Sequence, residues 1–312
     1  MTRGDSYRPH FYAEPRLDRR SHQRRDESWL SQSLASADAR IVPVWRDYNL
    51  FAAEPQAATG APPAPRFLTA NEWAAIEAEG DTPIYLGVYD RRHYFAADLS
   101  RAAEPPLAAL GAFTDLRQAG PLLPRFEGSL LAYARGLVHW HGRHGYCGVC
   151  GARTRPADGG HVRRCANDSC GATHFPRTDP AIIVLVTHGD QALVGRSPHW
   201  PVGTYSALAG FVEPGESLEM AVAREVHEEV GLTLPLDGIR YSSSQPWPFP
   251  ASIMLGFYAE ATDTALTLDH DEIEAALWLH RDDLRDAADG SFRLPRADSI
   301  ARRLITDWLQ DG

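Results

Sequence analysis

The stretch from Gly210 to Leu232, GFVEPGESLEMAVAREVHEEVGL, constrains the fold of this 312-residue chain more than any other. It predicts a turn at Pro214–Gly215 and then a helix that Ser217 can cap. The helix is expected to end at Gly231, because glycine is common just past a helix end. The stretch therefore predicts a glycine-containing loop followed by one amphipathic helix.

Three glutamates share one face of this predicted helix. At 100° per residue, Glu225, Glu228 and Glu229 lie together beside an apolar stripe of valines. Carboxylates at this spacing repel one another unless positive charge lies between them, and a hard divalent cation prefers such oxygen ligands. The alternative is a solvated acidic helix face, but the preceding loop and the adjacent Arg224 favour a cation site.

Composition limits the class of protein further. The length suits two or three domains, and a net charge of −10 with a pI of about 5.7 argues against general nucleic-acid binding. No apolar run approaches the roughly 18 residues of a membrane-spanning helix, and no apolar segment follows the N-terminal arginines as in an export signal. We therefore expect a cytoplasmic protein. In that reducing compartment, four cysteines indicate a metal site before disulfides.

The four cysteines form two short-spaced pairs. Cys147 and Cys150 are separated by two residues, and Cys165 and Cys170 by four. Two such pairs supply the tetrahedral sulfur cage that zinc prefers, and four thiolates leave no open position for a substrate. We expect one structural zinc ion per subunit in a zinc ribbon. Two disulfides are the alternative.

Hydrophobic patterns predict elements on both sides of the cysteines. Before them, two hairpins within 41–51 and 84–96 and a helix over about 127–143 indicate an α+β unit. After them, a buried strand run at 181–186 and its partners surround the acidic helix, and a terminal helix is expected over 299–309. This second arrangement predicts an α/β/α sandwich.

A proline-rich stretch, Ser244 to Ser252, follows the acidic helix. Three prolines at alternate positions predict a rigid, extended loop that presents Gln245, Trp247 and Phe249 together with Ser252. Aromatic rings beside hydrogen-bonding side chains suit a flat heterocycle that carries an amide or ribose hydroxyls. The alternative is a purely structural loop.

The glycine, glutamates and Arg224 fit the Nudix box, G-x5-E-x7-R-E-U-x-E-E-x-G-U, where U is a bulky aliphatic residue. With SQPWPFPxS downstream, the chain resembles the NADH pyrophosphatase family (NAD-capped RNA hydrolases of the NudC type). The resemblance implies an α+β N-terminal domain, a zinc ribbon and a C-terminal Nudix fold, an α/β/α sandwich with a mixed sheet. The expected boundaries are an arginine-rich extension at 1–28 that frays or lies along the surface, an α+β domain at 29–144, the four-cysteine zinc ribbon at 145–175 and the Nudix domain at 176–312.

The resemblance also implies which residues bind the catalytic cations, more than one Mg²⁺ or Mn²⁺ per subunit. These ligands are Glu225, Glu229, the backbone carbonyl of Ala209 and Glu272. Asp271 and Glu274 lie close to Glu272 in the sequence, so the fourth ligand can fall on a neighbouring acid.

Substrate contacts follow from the same resemblance. The implied contacts are Phe175, Phe211, Ala301, Arg117 and the loop residues Gln245, Pro246, Trp247, Pro248, Phe249, Pro250, Ala251 and Ser252. Some relatives place a glutamate in the ribbon near the substrate. The equivalent region here is Gly159-Gly160-His161, so no contact is predicted there.

The implied reaction is hydrolysis of the pyrophosphate of NAD(H) to nicotinamide mononucleotide and AMP, together with removal of an NAD cap from RNA. Arg224 is expected to orient carboxylates, with Glu216 as its partner, and Glu228 is the candidate base. The alternatives are a Nudix diphosphatase for ADP-ribose or diadenosine polyphosphate, and an RNA-binding ribbon with an inactive Nudix domain. Family members are generally homodimers with shared sites, so a two-fold dimer is also expected.

Overall fold

The computed structural model describes residues 8–52, 63–76, 80–285 and 292–311. By its internal contacts the chain forms two compact units. The first unit is Met1–Thr178 together with Trp247–Ala251, and the second is Asp179–Pro246 together with Ser252–Gly312. The four-segment division expected from the sequence stays a prediction. No helix within the described ranges is long and apolar enough to cross a membrane.

The first unit is built on a five-stranded sheet with the order β3-β4-β1-β2-β5, in which β1 and β4 are parallel. Its strands are β1 Ala39–Trp45, β2 Tyr48–Ala52, β3 Ile84–Tyr89, β4 Arg92–Asp98 and β5 Gly111–Thr114. Its helices are α1 Glu27–Ala35, α2 Ala70–Ala74, α3 Leu116–Ala119 and α4 Arg125–Arg143. Both predicted hairpins are confirmed. The second turns at Asp90 and Arg91, whose φ angles of 47° and 61° are those of a tight hairpin turn.

Helix α4 confirms the helix predicted from the pattern. Its buried side chains include Leu130, Leu131, Ala134 and Leu137, which pack with Val42 and Leu86 of the sheet in one apolar core. A second core contains Tyr85, Phe95 and Trp73, with α1 packed against it. The first unit also contains the three strands of the ribbon, β6 Thr154–Ala157, β7 Val162–Cys165 and β8 Thr173–His174.

The expectation that the first 28 residues fray or lie along the surface is wrong for His10 and Tyr12, whereas residues 13–28 are exposed or half-buried, and residues 1–7 lie outside the described residues. Tyr12 is only 4% exposed and packs in the α4 core, and His10 is also buried. Asp18 and Val88 exchange backbone hydrogen bonds of 3.0 and 2.8 Å, so this segment covers the outer edge of β3. An edge strand gains from such pairing, but the partner is distant in the sequence and leaves no local periodicity to detect.

The second unit is an α/β/α sandwich, as predicted. Its six-stranded mixed sheet has the order β12-β13-β9-β10-β14, with β11 also paired to β9. The strands are β9 Asp179–His188, β10 Gln191–Arg196, β11 Leu208–Phe211, β12 Arg240–Trp247, β13 Ser252–Glu260 and β14 Ala275–His280. The helices are α5 Leu218–Val230, α6 Arg281–Arg285 and α7 Ile300–Gln310.

Strand β9 separates the two layers of helices. Ile182 and Val184 pack in the core that α5 covers, whereas Ile183 and Leu185 pack in the core that α7 covers. This alternation follows from the two-residue period of a strand, so a continuous apolar run is what a strand buried on both faces requires.

Candidate active site

Helix α5 begins and ends where the sequence predicts. The Ser217 hydroxyl accepts a 3.2 Å hydrogen bond from the backbone N–H of Met220. Gly231 ends the helix with a φ of 76°, a left-handed conformation that glycine adopts without a side-chain clash. The N-terminal cap at Ser217 and the C-terminal end at Gly231 are therefore both as predicted from the sequence.

Arg224 holds the carboxylates of the box in place. Its guanidinium donates two hydrogen bonds to Glu216, at 2.6 and 3.0 Å, and one each to Glu225 at 2.9 Å and Glu228 at 2.8 Å. It also donates to the Phe211 backbone carbonyl at 2.9 Å. The hydrogen bonds from Arg224 lower the pKa of Glu216 to about 2. The partner predicted for Arg224 is therefore in place, and the planar guanidinium supplies a geometry that a lysine cannot.

Gly210 makes room for the Glu225 carboxylate. A Cβ atom at position 210 would lie 1.9 Å from the carboxyl carbon of Glu225, so any larger residue there would displace this carboxylate. Gly210 lies on β11, which pairs with β9, and it directly follows the exposed Ala209. The backbone of Ala209 is thereby positioned one residue from the point where β11 meets Glu225.

Glu229 is buried near three other carboxylates. The residue is only 6% exposed, and its Oε2 atom has no hydrogen-bond partner among the described residues. Burial raises its pKa to about 8, and the negative charges of Glu225, Glu272 and Glu228 add to the rise. Burial also raises the pKa of Glu225. An ionised carboxylate in such a place needs a positive partner.

Glu272 joins this group from the segment before β14. The backbone N–H of Asp269 donates to the Glu229 carbonyl at 3.1 Å, and the N–H of Glu272 donates to the Asp269 carbonyl at 3.2 Å. Glu274 instead pairs with Arg196. Among the neighbouring acids, Glu272 is therefore the one whose charge acts on both Glu225 and Glu229.

The donor set fits a hard divalent cation. The negative charges of Glu225, Glu228 and Glu272 all act on Glu229, whose Oε2 atom has no hydrogen-bond partner among the described residues and is an available ligand atom. A cation there would offset both the mutual repulsion and the cost of burying Glu229. All four residues are among those predicted from the sequence, and their role as a cation site stays a prediction.

The cysteines form the second metal-binding group. The four Sγ atoms of Cys147, Cys150, Cys165 and Cys170 all lie within 4.8 Å of one another. All four are free thiols, and the separations of 3.9 Å (Cys147 to Cys170) and 3.4 Å (Cys150 to Cys165) exceed the roughly 2.05 Å of a disulfide bond. The thiols therefore match the tetrahedral sulfur cage of a structural zinc site.

The proline loop differs from its prediction in two respects. Strand β12 continues to Trp247, so the turn is shorter than expected, and Gln245 is fully buried rather than presented. Its side-chain amide donates to the Asp298 carbonyl at 2.7 Å and accepts from the Ile300 N–H at 2.7 Å. The expectation of an exposed Gln245 is therefore wrong, because two backbone groups near α7 bind its amide.

Phe249 is also buried rather than presented. Its ring packs edge-on against Tyr12 and Trp247, with centroid distances of 6.0 and 5.0 Å. The guanidinium of Arg117 lies 4.4 Å from the Phe249 ring centroid, and that of Arg135 lies 5.1 Å from it. The structure thus brings together two predicted residues, Arg117 and Phe249, in the first unit.

Sequence reasoning missed Arg135. It lies on the buried face of α4 and pairs with Asp115 at 3.1 Å. A charged residue within an apolar helical stripe was the available signal.

The other predicted contacts differ in exposure. Phe175 and Phe211 are 59% and 61% exposed, as rings available for stacking require, whereas Ala301 is buried in α7. Of the remaining loop residues, Pro248 is buried and Pro250 is exposed. The others are half-buried: Pro246, Trp247, Ala251 and Ser252.

The fold of the second unit and the glutamate helix define a Nudix hydrolase. The family model for the NUDIX domain matches residues 177–302. The models for the NADH pyrophosphatase-like rudimentary NUDIX domain and the NADH pyrophosphatase zinc ribbon domain match residues 38–140 and 143–175.

Relatives that align along most of their length show which family of Nudix hydrolases this chain resembles. The chain is 42% identical over 225 residues to the NAD-capped RNA hydrolase NudC of Stutzerimonas stutzeri, covering 72% of this chain and 76% of that protein. It is 40% identical over 252 residues to NudC of Mycobacterium bovis, covering 75% and 79%. It is 32% identical over 342 residues to the NAD-capped RNA hydrolase NUDT12 of Macaca fascicularis, covering 96% and 73%. The chain therefore belongs to the NudC-type family of Nudix hydrolases.

Proposed function

We propose that this chain hydrolyses the pyrophosphate bond of NAD(H) to nicotinamide mononucleotide and AMP. We further propose that it removes the NAD cap from RNA and leaves a 5′-monophosphate end. The relatives named NAD-capped RNA hydrolase support the substrate. The observation that carries the reaction type is the buried carboxylate of Glu229, whose Oε2 atom has no hydrogen-bond partner among the described residues and whose pKa is raised in part by three other glutamates.

In this proposal, Glu225, Glu229, Glu272 and the Ala209 carbonyl hold more than one Mg²⁺ or Mn²⁺ ion. When bound, such ions neutralise the diphosphate, polarise a P–O bond and lower the pKa of a water molecule. The carboxylates supply the negative charge that retains the ions, and Gly210 leaves the space that Glu225 occupies.

Arg224 and Glu228 have separate roles. Arg224 orients Glu225 and Glu228 through hydrogen bonds of 2.9 and 2.8 Å. The Glu228 side chain is 54% exposed and can therefore accept a proton from solvent water. As the water oxygen bonds to phosphorus, the P–O bond opposite it in the anhydride breaks, and the water proton passes to Glu228.

The substrate contacts remain part of the proposal. The exposed Phe211 ring belongs to the residue that follows Gly210 and is suited to stack on a planar ring. Phe175, Arg117, Ala301 and the loop residues from Trp247 to Ser252 are further candidates. Gln245 acts instead by holding the end of β12 to the start of α7.

Location and assembly are also proposals. Four free thiols suit the reducing cytoplasm, where we propose that the protein acts. We propose a two-fold homodimer from the family resemblance. Light scattering at micromolar concentration tests it, and a monomeric mass contradicts it.

The direct experiment is incubation of the purified protein with NADH, NAD or ADP-ribose and Mn²⁺, with AMP release as the readout. Faster release from NADH or NAD supports the proposal, whereas faster release from ADP-ribose favours the alternative diphosphatase. A gel assay compares NAD-capped with triphosphate RNA of one sequence. Equal processing of the two RNAs contradicts the decapping activity.

A further inference from the structure

A cavity of about 480 Å³ lies in the first unit. Helix α1, the start of β3 and the turn between β6 and β7 surround it. Its apolar wall includes Leu30, Leu34, Pro83 and Phe95. Such a wall, beside polar groups, suits a flat, partly apolar group such as a nucleobase.

Arginines line the same cavity. Arg25 and Arg164 share one carboxylate, that of Asp158, at 3.2 and 3.4 Å. Arg24 also lines the cavity, as does the acidic Glu27. Three guanidinium groups against two carboxylates leave a positive surplus beside the apolar wall. The cavity therefore favours a ligand that carries negative charge.

The turn that forms one wall is held in an uncommon conformation. Asp158, Gly159 and Gly160 have φ angles of 51°, 62° and 87°, and the left-handed conformation is less favourable for an aspartate than for a glycine. Two histidines fasten this turn: His141 Nε2 lies 2.6 Å from the Gly160 carbonyl oxygen, and His161 Nε2 lies 2.7 Å from that of Tyr85. The ion pairs of Asp158 with two arginines add to these restraints. The wall is thus formed before any ligand binds.

A basic track leads away from the cavity along the exposed face of the ribbon. Arg155 lies directly opposite Arg164 in the β6–β7 register, and the Asp158 carboxylate, 3.4 Å from Arg164, offsets this like-charge pair only in part. Arg153, two residues earlier, lies on the same side as Arg155. Its guanidinium is 5.4 Å from the ring centroid of Tyr146, which is 62% exposed.

We infer that this cavity and track bind single-stranded RNA. One base enters the cavity, and successive phosphates contact Arg25, Arg164 and Arg155, while Tyr146 offers a stacking surface for a further base. Because the net charge of −10 repels a polyanion, RNA binding needs a local concentration of positive charge such as this track. The inference rests on the proposed function, which supplies an RNA substrate.

The track favours a chain over a free nucleotide. One phosphate at the cavity can contact Arg164 and its neighbour Arg155, whereas Arg153 and the Tyr146 ring lie further along the ribbon. A polynucleotide places a phosphate at each step of its backbone and can contact both groups of arginines.

The test is the double variant Arg155→Ala/Arg164→Ala, compared with Arg92→Ala/Arg240→Ala, which removes the same charge from exposed positions elsewhere. Fluorescence anisotropy measures the affinity of the full-length protein for an uncapped, single-stranded RNA of about ten nucleotides. Each lost phosphate contact on a single strand is expected to reduce the slope of log affinity against log salt concentration by about 0.7. At about 0.1 M salt this reduction corresponds to an affinity about fivefold lower. Loss of both contacts predicts a weakening of about 25-fold.

The outcomes separate this inference from the proposed function. A loss of affinity confined to the Arg155/Arg164 variant supports the RNA track, and an equal loss in both double variants overturns it. A competition experiment compares AMP with unlabelled RNA, both expressed as nucleotide concentration. If AMP displaces the labelled RNA at the lower concentration, the occupant is a free nucleotide and the inference is overturned. NADH turnover is measured in parallel: a protein that binds RNA through these arginines but does not hydrolyse NADH contradicts only the proposed function.

Discussion

Substitution of the fully buried Gln245 can test whether this residue contacts the substrate or instead stabilises the fold. Its Oε1 atom accepts a hydrogen bond from the N–H of Ile300, the first residue of α7, and its Nε2 atom donates to the Asp298 carbonyl. First-turn N–H groups of a helix lack an acceptor within the helix, so Gln245 acts as a remote cap. A side chain on β12 thus holds the start of α7.

Replacing Gln245 with Met keeps a similar volume and removes both hydrogen bonds. The buried N–H of Ile300 then loses its acceptor, which costs about 1–3 kcal/mol, and the hydrogen bond to the Asp298 carbonyl is also lost, which costs about 0.5–1.5 kcal/mol. We therefore expect the free energy of unfolding to fall by about 3 kcal/mol. For a chain of this size, this corresponds to a decrease of roughly 6–12 °C in melting temperature.

Thermal melting and the KM for NADH are measured on the same samples. Gln191→Met serves as the matched control, because the Gln191 amide contacts His280 at an exposed site, and its melting temperature is expected to stay near that of the wild type. A Gln245→Met protein with an unchanged melting temperature and a KM raised about tenfold, equivalent to about 1.4 kcal/mol of binding energy, would refute the capping role. Gln245 would then be a substrate contact.

Three further predictions concern the metal sites and the pH dependence of stability. Glu229→Gln is expected to lower NADH turnover at least about a hundredfold, because an amide cannot supply the charge that retains a cation, while the melting temperature does not fall, because repulsion from Glu225 is relieved. Turnover close to that of the wild type contradicts the site. Cys150→Ser is expected to lose the zinc and to melt at a lower temperature; a full equivalent of zinc by atomic absorption contradicts the thiolate cage. Burial lowers the pKa of His141 and His161 to about 4, against an ordinary value of 6.5. As the pH falls, these imidazoles are therefore protonated in the unfolded chain before they are protonated in the folded protein. Each contributes up to about 3 kcal/mol that is present above pH 6.5 and is lost as the pH falls toward 4. Denaturant unfolding at several pH values checks this slope, and a constant stability across that range contradicts it.

Local patterns predicted the parts of the molecule that local physics controls. The α5 helix, its Ser217 cap and its Gly231 end depend on residues within one short stretch, and the structure has all three. The ribbon cysteines are similar, because their spacing already restricts the backbone. Periodicity also predicted α4, which buries one face, and a continuous apolar run predicted β9, which is buried on both faces.

Long-range contacts decided what local patterns could not. Tyr12 is buried because α4 and the sheet form a core around it, and Gln245 is buried because α7 begins beside it. Arg135 gains its place through Asp115 and the Phe249 ring. None of these partners lies within one turn or one strand of the residue concerned, so no local pattern records them.

The glutamate helix shows both contributions at one site. From the sequence alone, Glu225, Glu228 and Glu229 are expected to share a helix face and to favour a cation, because helical geometry brings like charges together. Only the tertiary structure distinguishes their environments: Glu228 stays exposed, whereas Glu229 is buried near the charges of Glu225 and Glu272, and its pKa rises to about 8. Burial and the field of distant charges arise from the packed fold, and the fold therefore decides which carboxylate most needs the metal.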